Sequence, residues 1–493
     1  MVPSKPALIS LDSHAGKNLP LYEQVVLAVR GLIDNGSLRP NDKAPSIRSL
    51  HKQLGVSMAT IVQAYSILEA QGVIESRPRS GFYICNQPDF QLREPEKTTP
   101  AQISRKVSTH EIVLSMAEIG HTPDIINLGT ATLDAELFPI KALRRIMGSV
   151  VRHSDALGFY YDMVPGDYKL LKQLAQRSLR WHCRMKADDF VITNGAMESM
   201  HLALLAVAKP GDTIAMESPT FYPLLQTIHR LGMYAMEIPT DPRTGMDLDA
   251  LQTAIKNSQH KHPIKALFTV PNFNNPLGFV MSDDNKQHLV DLATAHDIAI
   301  IEDDIYGDLH FDAIRPAPLK AFDKEGVVLH CSSLSKSLCS GLRVGWIAPG
   351  RWVEDIKRYK YLMNVSTPTI SQLTLAECLR SGLYDRHLAQ LRPTLRQTMG
   401  QFFEVIAKTF PKGTTVTQPR GGFLLWVVLP ENVNVTQLYQ ETLVHNVSIA
   451  PGPIFSAGQE YNNCLRLCCG LPWHDEIEWA LSLVGKTATK LAG

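Results

Sequence analysis

Val327-Val328-Leu329-His330-Cys331-Ser332-Ser333-Leu334-Ser335-Lys336-Ser337-Leu338-Cys339-Ser340-Gly341-Leu342-Arg343-Val344-Gly345-Trp346 is the stretch on which the fold turns. An apolar strand pattern runs into small hydroxyl residues and one lysine, and Gly-Leu-Arg then precedes a second apolar strand. A lone lysine is ordinarily a solvated surface charge. At the end of a buried strand, burial lowers its pKa and leaves an amine able to form a Schiff base. Ser333 and Arg343 flank it as anion ligands, which suits a phosphate ester close to an aldehyde.

Three further segments are built alike. Ile300-Ile301-Glu302-Asp303-Asp304-Ile305-Tyr306 is a strand pattern ending in acids, with Tyr306 three residues after Asp303. Pro271-Asn272-Phe273-Asn274-Asn275-Pro276-Leu277-Gly278 is a turn-rich loop after an apolar run, Ala266–Val270. Val191-Ile192-Thr193-Asn194-Gly195-Ala196-Met197 is a strand-to-helix turn whose free backbone N–H groups suit a phosphate. Singly, each of these is commonplace. Open α/β sheets bind ligands at the carboxyl ends of their strands, so their succession there points to one ligand. Pyridoxal 5′-phosphate (PLP) matches the set: Lys336 for its aldehyde, Asp303 to keep its ring nitrogen protonated, Tyr306 and Asn275 for its phenolic oxygen.

From about residue 113 onward, apolar runs alternate with amphipathic helical patterns, which marks an α/β domain. Residues 88–112 lose that periodicity and gain Pro, Thr and charge, the chemistry of a linker. Of 493 residues, 44% are hydrophobic and 20% charged, which excludes large-scale disorder. The net charge of +1 gives no global attraction to nucleic acid, so any DNA affinity has to come from a local patch. Eight cysteines form no CxxC pair and have no zinc spacing; they read as thiols in a reducing compartment, with no metal site expected. The opening MVPSKPALISLDSHAGKN has no apolar core of signal-peptide length, and no window approaches a membrane span. A cytoplasmic protein without membrane contact is expected.

Residues 20–87 have a different texture. Leu21 opens a helix with Val25, Val29, Leu32 and Ile33 on one face, stopped by Asn35-Gly36. Ser46 is placed to cap a second helix carrying Ile47, Leu50 and Leu54, which Gly55 breaks. Ser57 caps a third, MATIVQAYSILEAQG, with Ile61, Tyr65 and Leu68 inside. Val73–Ser76 and Gly81–Ile84 read as two strands joined by Arg77-Pro78-Arg79-Ser80. Two helices around a Gly-containing turn make a helix-turn-helix, and a small hairpin with a basic tip makes a wing suited to phosphate or the minor groove. A three-helix protein-binding domain fits the same spacing, and the Lys/Arg excess over Asp/Glu across 20–87 is only two.

The string PLYEQV…PSIRSL…LGVS.ATI…AY..LEAQGVI…RSGFYI resembles the winged helix-turn-helix of the GntR family of bacterial repressors over residues 19–85. The resemblance implies phosphate contacts from Ser46 and Arg48, groove contacts from Ser57 and Thr60, and wing contacts from Arg77, Arg79 and Gly81. The family commonly has Arg after the serine that starts the recognition helix, where this chain has Met58. Methionine cannot make the bidentate bond to guanine that Arg makes, so base readout is expected to be apolar or weaker.

Residues 113–490 resemble the class I/II aminotransferase domain of fold type I PLP enzymes. By that resemblance Lys336 is the catalytic lysine that holds PLP as an imine, and Asp303 partners the pyridine nitrogen. Asn275 and Tyr306 bind the phenolic oxygen, while Ser333, Arg343 and the Gly195-Ala196-Met197 turn hold the phosphate. Phe221 takes the place of the ring-stacking aromatic, where Tyr or Trp is more usual, and Met197 stands where many relatives have a polar residue. Tyr161, with Tyr160 as the competing choice, matches a tyrosine that reaches a neighbouring subunit's phosphate. Arg466 matches the arginine that binds an amino acid's α-carboxylate.

A GntR-type head joined to such a domain is the arrangement of the MocR subfamily. It implies a multidomain chain: an α+β winged helix-turn-helix over 15–87, a linker over 88–112, and an α/β domain over 113–493 with a small C-terminal subdomain. It also implies a head-to-tail homodimer that binds double-stranded DNA and responds to PLP or an amino-acid-like small molecule. The chemistry-bearing residues of an aminotransferase are all present, so an enzyme with an accessory DNA-binding head is the alternative, and a PLP carrier without a DNA target a third.

Overall fold

The computed structural model describes residues 20–493 apart from 35–36, 40–41, 71, 78–79, 86–91, 108–112, 114–121, 123, 155–157, 159 and 259–261. The expected helix stop at Asn35-Gly36 and the wing-tip residue Arg79 lie outside the described residues.

The N-terminal unit builds helices α1 (Leu21–Asp34), α2 (Ile47–Leu54) and α3 (Met58–Ala70) and strands β1 (Ile74–Arg77) and β2 (Gly81–Ile84). Their apolar faces close a separate core of Val25, Val29, Leu50, Ile61, Tyr65 and Leu68 with neighbouring residues. Ser46 caps α2 by accepting from Ser49 N, and Gly55 ends it at φ 69°, a left-handed conformation that costs glycine little. Tyr65 reaches back from α3 to donate its hydroxyl to Pro45 O, tying the two helices of the motif together. β1 and β2 pair antiparallel, Ile74 opposite Ile84 and Arg77 opposite Gly81.

The large domain is organised on seven strands: β3 (Val191–Thr193), β4 (Thr213–Glu217), β5 (Tyr234–Ile238), β6 (Ile264–Thr269), β7 (Ala299–Asp303), β8 (Val328–Ser333) and β9 (Gly345–Ala348). They lie in the order β3-β9-β8-β7-β6-β4-β5. All neighbours are parallel except β9, which is antiparallel to both β8 and β3. The carboxyl ends of the parallel strands and the amino end of β9 therefore meet at one edge, where Thr193, Gly345 and Ser333 are in register. Helix α4 (Ala196–Val207) lies on the sheet, and the 27-residue α5 (Leu383–Thr409) packs against the C-terminal helix Asp475–Ala492. A smaller sheet follows, with β10 (Thr415–Val416), β11 (Leu424–Val428), β12 (Ala450–Pro451) and β13 (Cys464–Cys468) in the order β10-β11-β13-β12.

Two sequence expectations are corrected here. The linker read over 88–112 is docked on the large domain from Leu92 to Val107. Arg93 O accepts from Val416 N, Arg105 pairs its backbone with Ala235 on the edge strand β5, and Val107 is buried. Thr98 donates its hydroxyl to Ser218 O, so this extended segment is held along the domain by single backbone and hydroxyl contacts rather than hanging as a tether. Lys336 does not end a strand: β8 stops at Ser333 and the lysine lies in the turns that follow. No helix among the described residues is long and apolar enough to cross a membrane.

Candidate functional site

The edge where the strands end gathers most of the residues that the sequence singles out. Lys336 is half-buried and donates from Nζ to Ala131 O at 2.6 Å. Burial, reinforced by the Arg466 charge, pushes its pKa down to about 8. Asp303, at the end of β7, is buried, and its Oδ1 has no hydrogen-bond partner. Burial and the neighbouring Asp304 push its carboxyl up to about 7. An unpartnered buried carboxylate is costly, and a protonated ring nitrogen is the donor it lacks.

Beyond Asp303, Tyr306 is buried and its hydroxyl accepts from Asn275 Nδ2 at 3.3 Å. Asn275 Oδ1 in turn accepts from Arg466 Nη1 at 2.9 Å, and Arg466 Nη2 donates to Gly129 O at 2.5 Å. Arg466 is buried on β13, not a surface strand residue; its guanidinium stands 4.9 Å from the Phe455 ring centroid, and its Nε is unpartnered. A buried guanidinium held only by neutral acceptors keeps its charge available for a carboxylate.

The anion end is as compact. Gly195 has φ 86° and opens α4, with the backbone of Ala196 and Met197 as its first turn. A Cβ on Gly195 would stand 2.5 Å from Arg343 Nη2, so only glycine lets this arginine lie over the helix start. Arg343 donates to Asn194 O at 3.1 Å, and Ser333 Oγ accepts from Ser335 N. Phe221 is half-buried immediately before the helix Tyr222–Arg230. Two residues stand apart: Tyr160 and Tyr161 are 69% and 75% exposed and lie outside the pocket's own hydrogen-bond network.

Several contributors carried no signal in residue type. Gly129 and Ala131 act through carbonyl oxygens, and any residue supplies those. Glu198 is missed too: it accepts from Asn194 N at 2.5 Å and from buried Lys360 at 2.8 Å, fixing the turn that Gly195 opens. Asp308 is a buried hub whose carboxylate takes Arg177, Arg315 and the Tyr384 hydroxyl, and Tyr384 also bonds Ser337 Oγ, beside Lys336.

The helix-turn-helix places its residues on the surface. Arg48 and Lys52 are exposed on α2. Ser46, Ser57 and Thr60 have their hydroxyls engaged in capping: Ser57 Oγ accepts from Thr60 N and bonds Thr60 Oγ1 at 2.8 Å. Arg77 pairs with Glu75 and stands 4.3 Å from the Tyr83 ring centroid. Gly81, at φ 105°, carries Lys43 against it, a cation at the wing base that the sequence reading left unassigned.

A model of the aminotransferase class I and II family matches residues 123–481, and one of the gntR family of bacterial regulatory proteins matches residues 21–84. The chain belongs to the MocR-type regulators. Among its relatives, the uncharacterized HTH-type transcriptional regulator YjiR of Escherichia coli K12 is 38% identical over 94% of this chain and 98% of its own length. HTH-type regulator NorG of Staphylococcus aureus is 25% identical over 89% of this chain and 98% of its own. The solved structure of Pyrococcus horikoshii kynurenine aminotransferase superposes with a TM-score of 0.72 at 26% identity, covering 78% of this chain and 95% of that one. The match to the aminotransferase class I and II family and this structural neighbour imply PLP dependence, and the residues gathered at this edge fit that cofactor.

Proposed function

We propose that the protein is a DNA-binding transcription regulator whose aminotransferase-like domain holds PLP and reports it, or an amino-acid-like effector, to the DNA-binding head. The observation that carries this reading is that one chain joins a winged helix-turn-helix to a site whose unpartnered Asp303 and Arg466 atoms await a ligand.

Lys336 would hold the cofactor covalently, Asp303 its ring nitrogen, and Asn275 and Tyr306 its phenolic oxygen. Ser333, Arg343 and the first turn of α4 would hold the phosphate, Phe221 would lie on the ring, and Arg466 would take an effector's carboxylate. When bound, PLP supplies an electron sink. Lys336, once an incoming amino acid has released it as a free amine with its pKa down at about 8, would be the base able to move that amino acid's α-proton.

The described contacts offer a route between the two halves. α5 carries Tyr384 at its start, against Ser337, and Arg396 about three turns later. Arg396 lies against Gly72 of the head, its Nε 3.2 Å from where a Cβ there would stand. A ligand that shifts the Lys336 segment would act on the helix that supports the head.

Two copies would assemble head-to-tail, with Tyr161 entering the neighbour's phosphate site. Support comes from exposed apolar residues on adjoining segments, Tyr160, Tyr161 and Met163 with Tyr361, Leu362 and Met363; large exposed apolar patches mark interfaces. The domain limits would be 15–87 and 113–493, with the docked linker between them. The working place would be the cytoplasm.

A gel-shift titration with the DNA upstream of the protein's own gene tests the regulator. Selective binding over scrambled DNA at moderate salt supports it; equal binding to both, with and without PLP, overturns it. The enzyme reading is favoured by the intact set Lys336, Asp303, Tyr306, Arg343 and Arg466. Steady-state transamination at rates typical of metabolic enzymes, on the order of 10 per second, would make catalysis the main activity.

A further inference from the structure

We infer that the recognition helix selects A·T base pairs, reading thymine methyl groups with Met58 and Val62 and an adenine edge with Gln63. This deepens the DNA-binding reading and rests on it.

α3 buries one face cleanly: Ile61, Ala64, Tyr65 and Leu68 are all within the core of the head. The opposite face carries Met58, Ala59, Val62, Gln63 and Ser66, all exposed. Met58 and Val62 are 44% and 47% exposed although nothing in the described fold needs them outside. Along the sequence of α3, MATIVQAYSILEA, there is no Lys or Arg, and the one charge is Glu69, near its far end. Glu69 is turned to the hairpin, where it accepts from Ser76 N.

This composition excludes the commonest base contact. Guanine is read by Arg or Lys through a bidentate bond to O6 and N7, and α3 offers neither. The hydroxyls of Ser57 and Thr60 are already turned toward each other and toward Thr60 N. What remains facing outward is a methionine, a valine and an alanine side chain, with one amide and, further along the helix, the Ser66 hydroxyl, which can bond any base and so does not discriminate. Apolar side chains match the 5-methyl of thymine, and a glutamine amide matches N6 and N7 of adenine. Both features belong to A·T pairs.

Spacing and charge agree with this. Met58 and Val62 are one turn apart on the same face, about 6 Å along the axis, close to two base steps. Arg48 and Lys52 are exposed on α2 and supply phosphate attraction without sequence information. The helix end that carries Met58 is also the end away from the large domain, since it is the segment just after α3, at Gly72, that meets Arg396.

Selection from a random duplex library, using the full-length protein loaded with PLP, tests the inference. Half-sites should emerge with A·T pairs at the positions α3 covers. Replacing those thymines by deoxyuracil, which deletes only the methyl, should weaken binding about fourfold per methyl. The same replacement should cost Met58→Ala or Val62→Ala proteins much less at the matching position. Gln63→Ala should relax the preference for adenine, and Met58→Arg should shift selection toward guanine. Conserved G·C pairs at those positions, or indifference of the wild-type protein to the methyl, would overturn the inference while leaving DNA binding intact. Absence of any selected sequence would instead sink the DNA-binding reading, and this inference with it.

Discussion

The two halves of this molecule handle polarity in opposite ways. The DNA-binding head closes its core with apolar side chains and one tyrosine, Tyr65, whose hydroxyl is bonded to Pro45 O, and carries its cations, Arg48 and Lys52 among them, out in water. The large domain buries its working groups: Asp303, Tyr306 and Arg466 are inside, each tied to or awaiting another polar atom. In water such contacts are screened and individually small, so the head should tolerate loss of any one of them. In the pocket each lost partner strands another buried group, so single changes should have large and specific effects. The lesson is that a surface reader is built from many weak terms and a buried sensor from a few strong ones.

Lys336→Ala should break the comparison at its strongest point. It should abolish the visible absorbance of covalently held PLP while the circular dichroism of the fold is kept; retention of that absorbance would mean the wrong lysine has been chosen. Next in size is a pH effect. Burial lowers the Lys336 pKa, so its neutral, reactive form predominates above about pH 8 and is lost as pH falls. The rate of covalent PLP uptake by the cofactor-free protein should drop about tenfold per pH unit below that value, as stopped-flow absorbance would show. A rate flat between pH 6 and 9, roughly the window that brackets this pKa, would contradict the buried-amine account.

A smaller effect is expected at the join between the regions. Tyr384→Phe removes the hydroxyl bonded to both Ser337 and Asp308 and should lower thermal stability by about 1–3 kcal/mol. It should also weaken the effect of PLP on DNA affinity more than it weakens PLP binding itself. An unchanged PLP effect on DNA binding would remove α5 from the coupling route. Smallest of all, Arg48→Ala should reduce the slope of log affinity against log salt by about one, measured by fluorescence anisotropy at several salt concentrations. An unchanged slope would take Arg48 off the phosphate list.

The same contrast explains what the sequence made legible. The head was readable because caps and apolar spacing are local: Ser46, Gly55 and Ser57 announce the helix ends they form. The pocket was readable where it depends on residue type, since Lys336, Asp303, Asn275, Tyr306 and Arg466 each have chemistry few residues share. It was opaque where backbone does the work, as with Gly129 O under Arg466 and Ala131 O under Lys336, more than 200 residues away in sequence. The docking of Leu92–Val107 was equally hidden: it is made by backbone groups and a threonine hydroxyl, which leave no apolar periodicity to reveal it. Asp308 gave no signal either, because its partners Arg177, Arg315 and Tyr384 come from distant segments.

Regulation of this kind requires the two halves to act as one. The direct measurement is the affinity of the full-length protein for DNA that it binds selectively, titrated by fluorescence anisotropy cofactor-free, with PLP, and with PLP plus individual amino acids. Coupling of ordinary size predicts that at least one ligand changes the affinity by about 5- to 150-fold, and that Lys336→Ala loses this response. Equal affinity in every state, in both wild-type and Lys336→Ala proteins, would contradict it and leave a DNA-binding head that merely shares a chain with a PLP pocket.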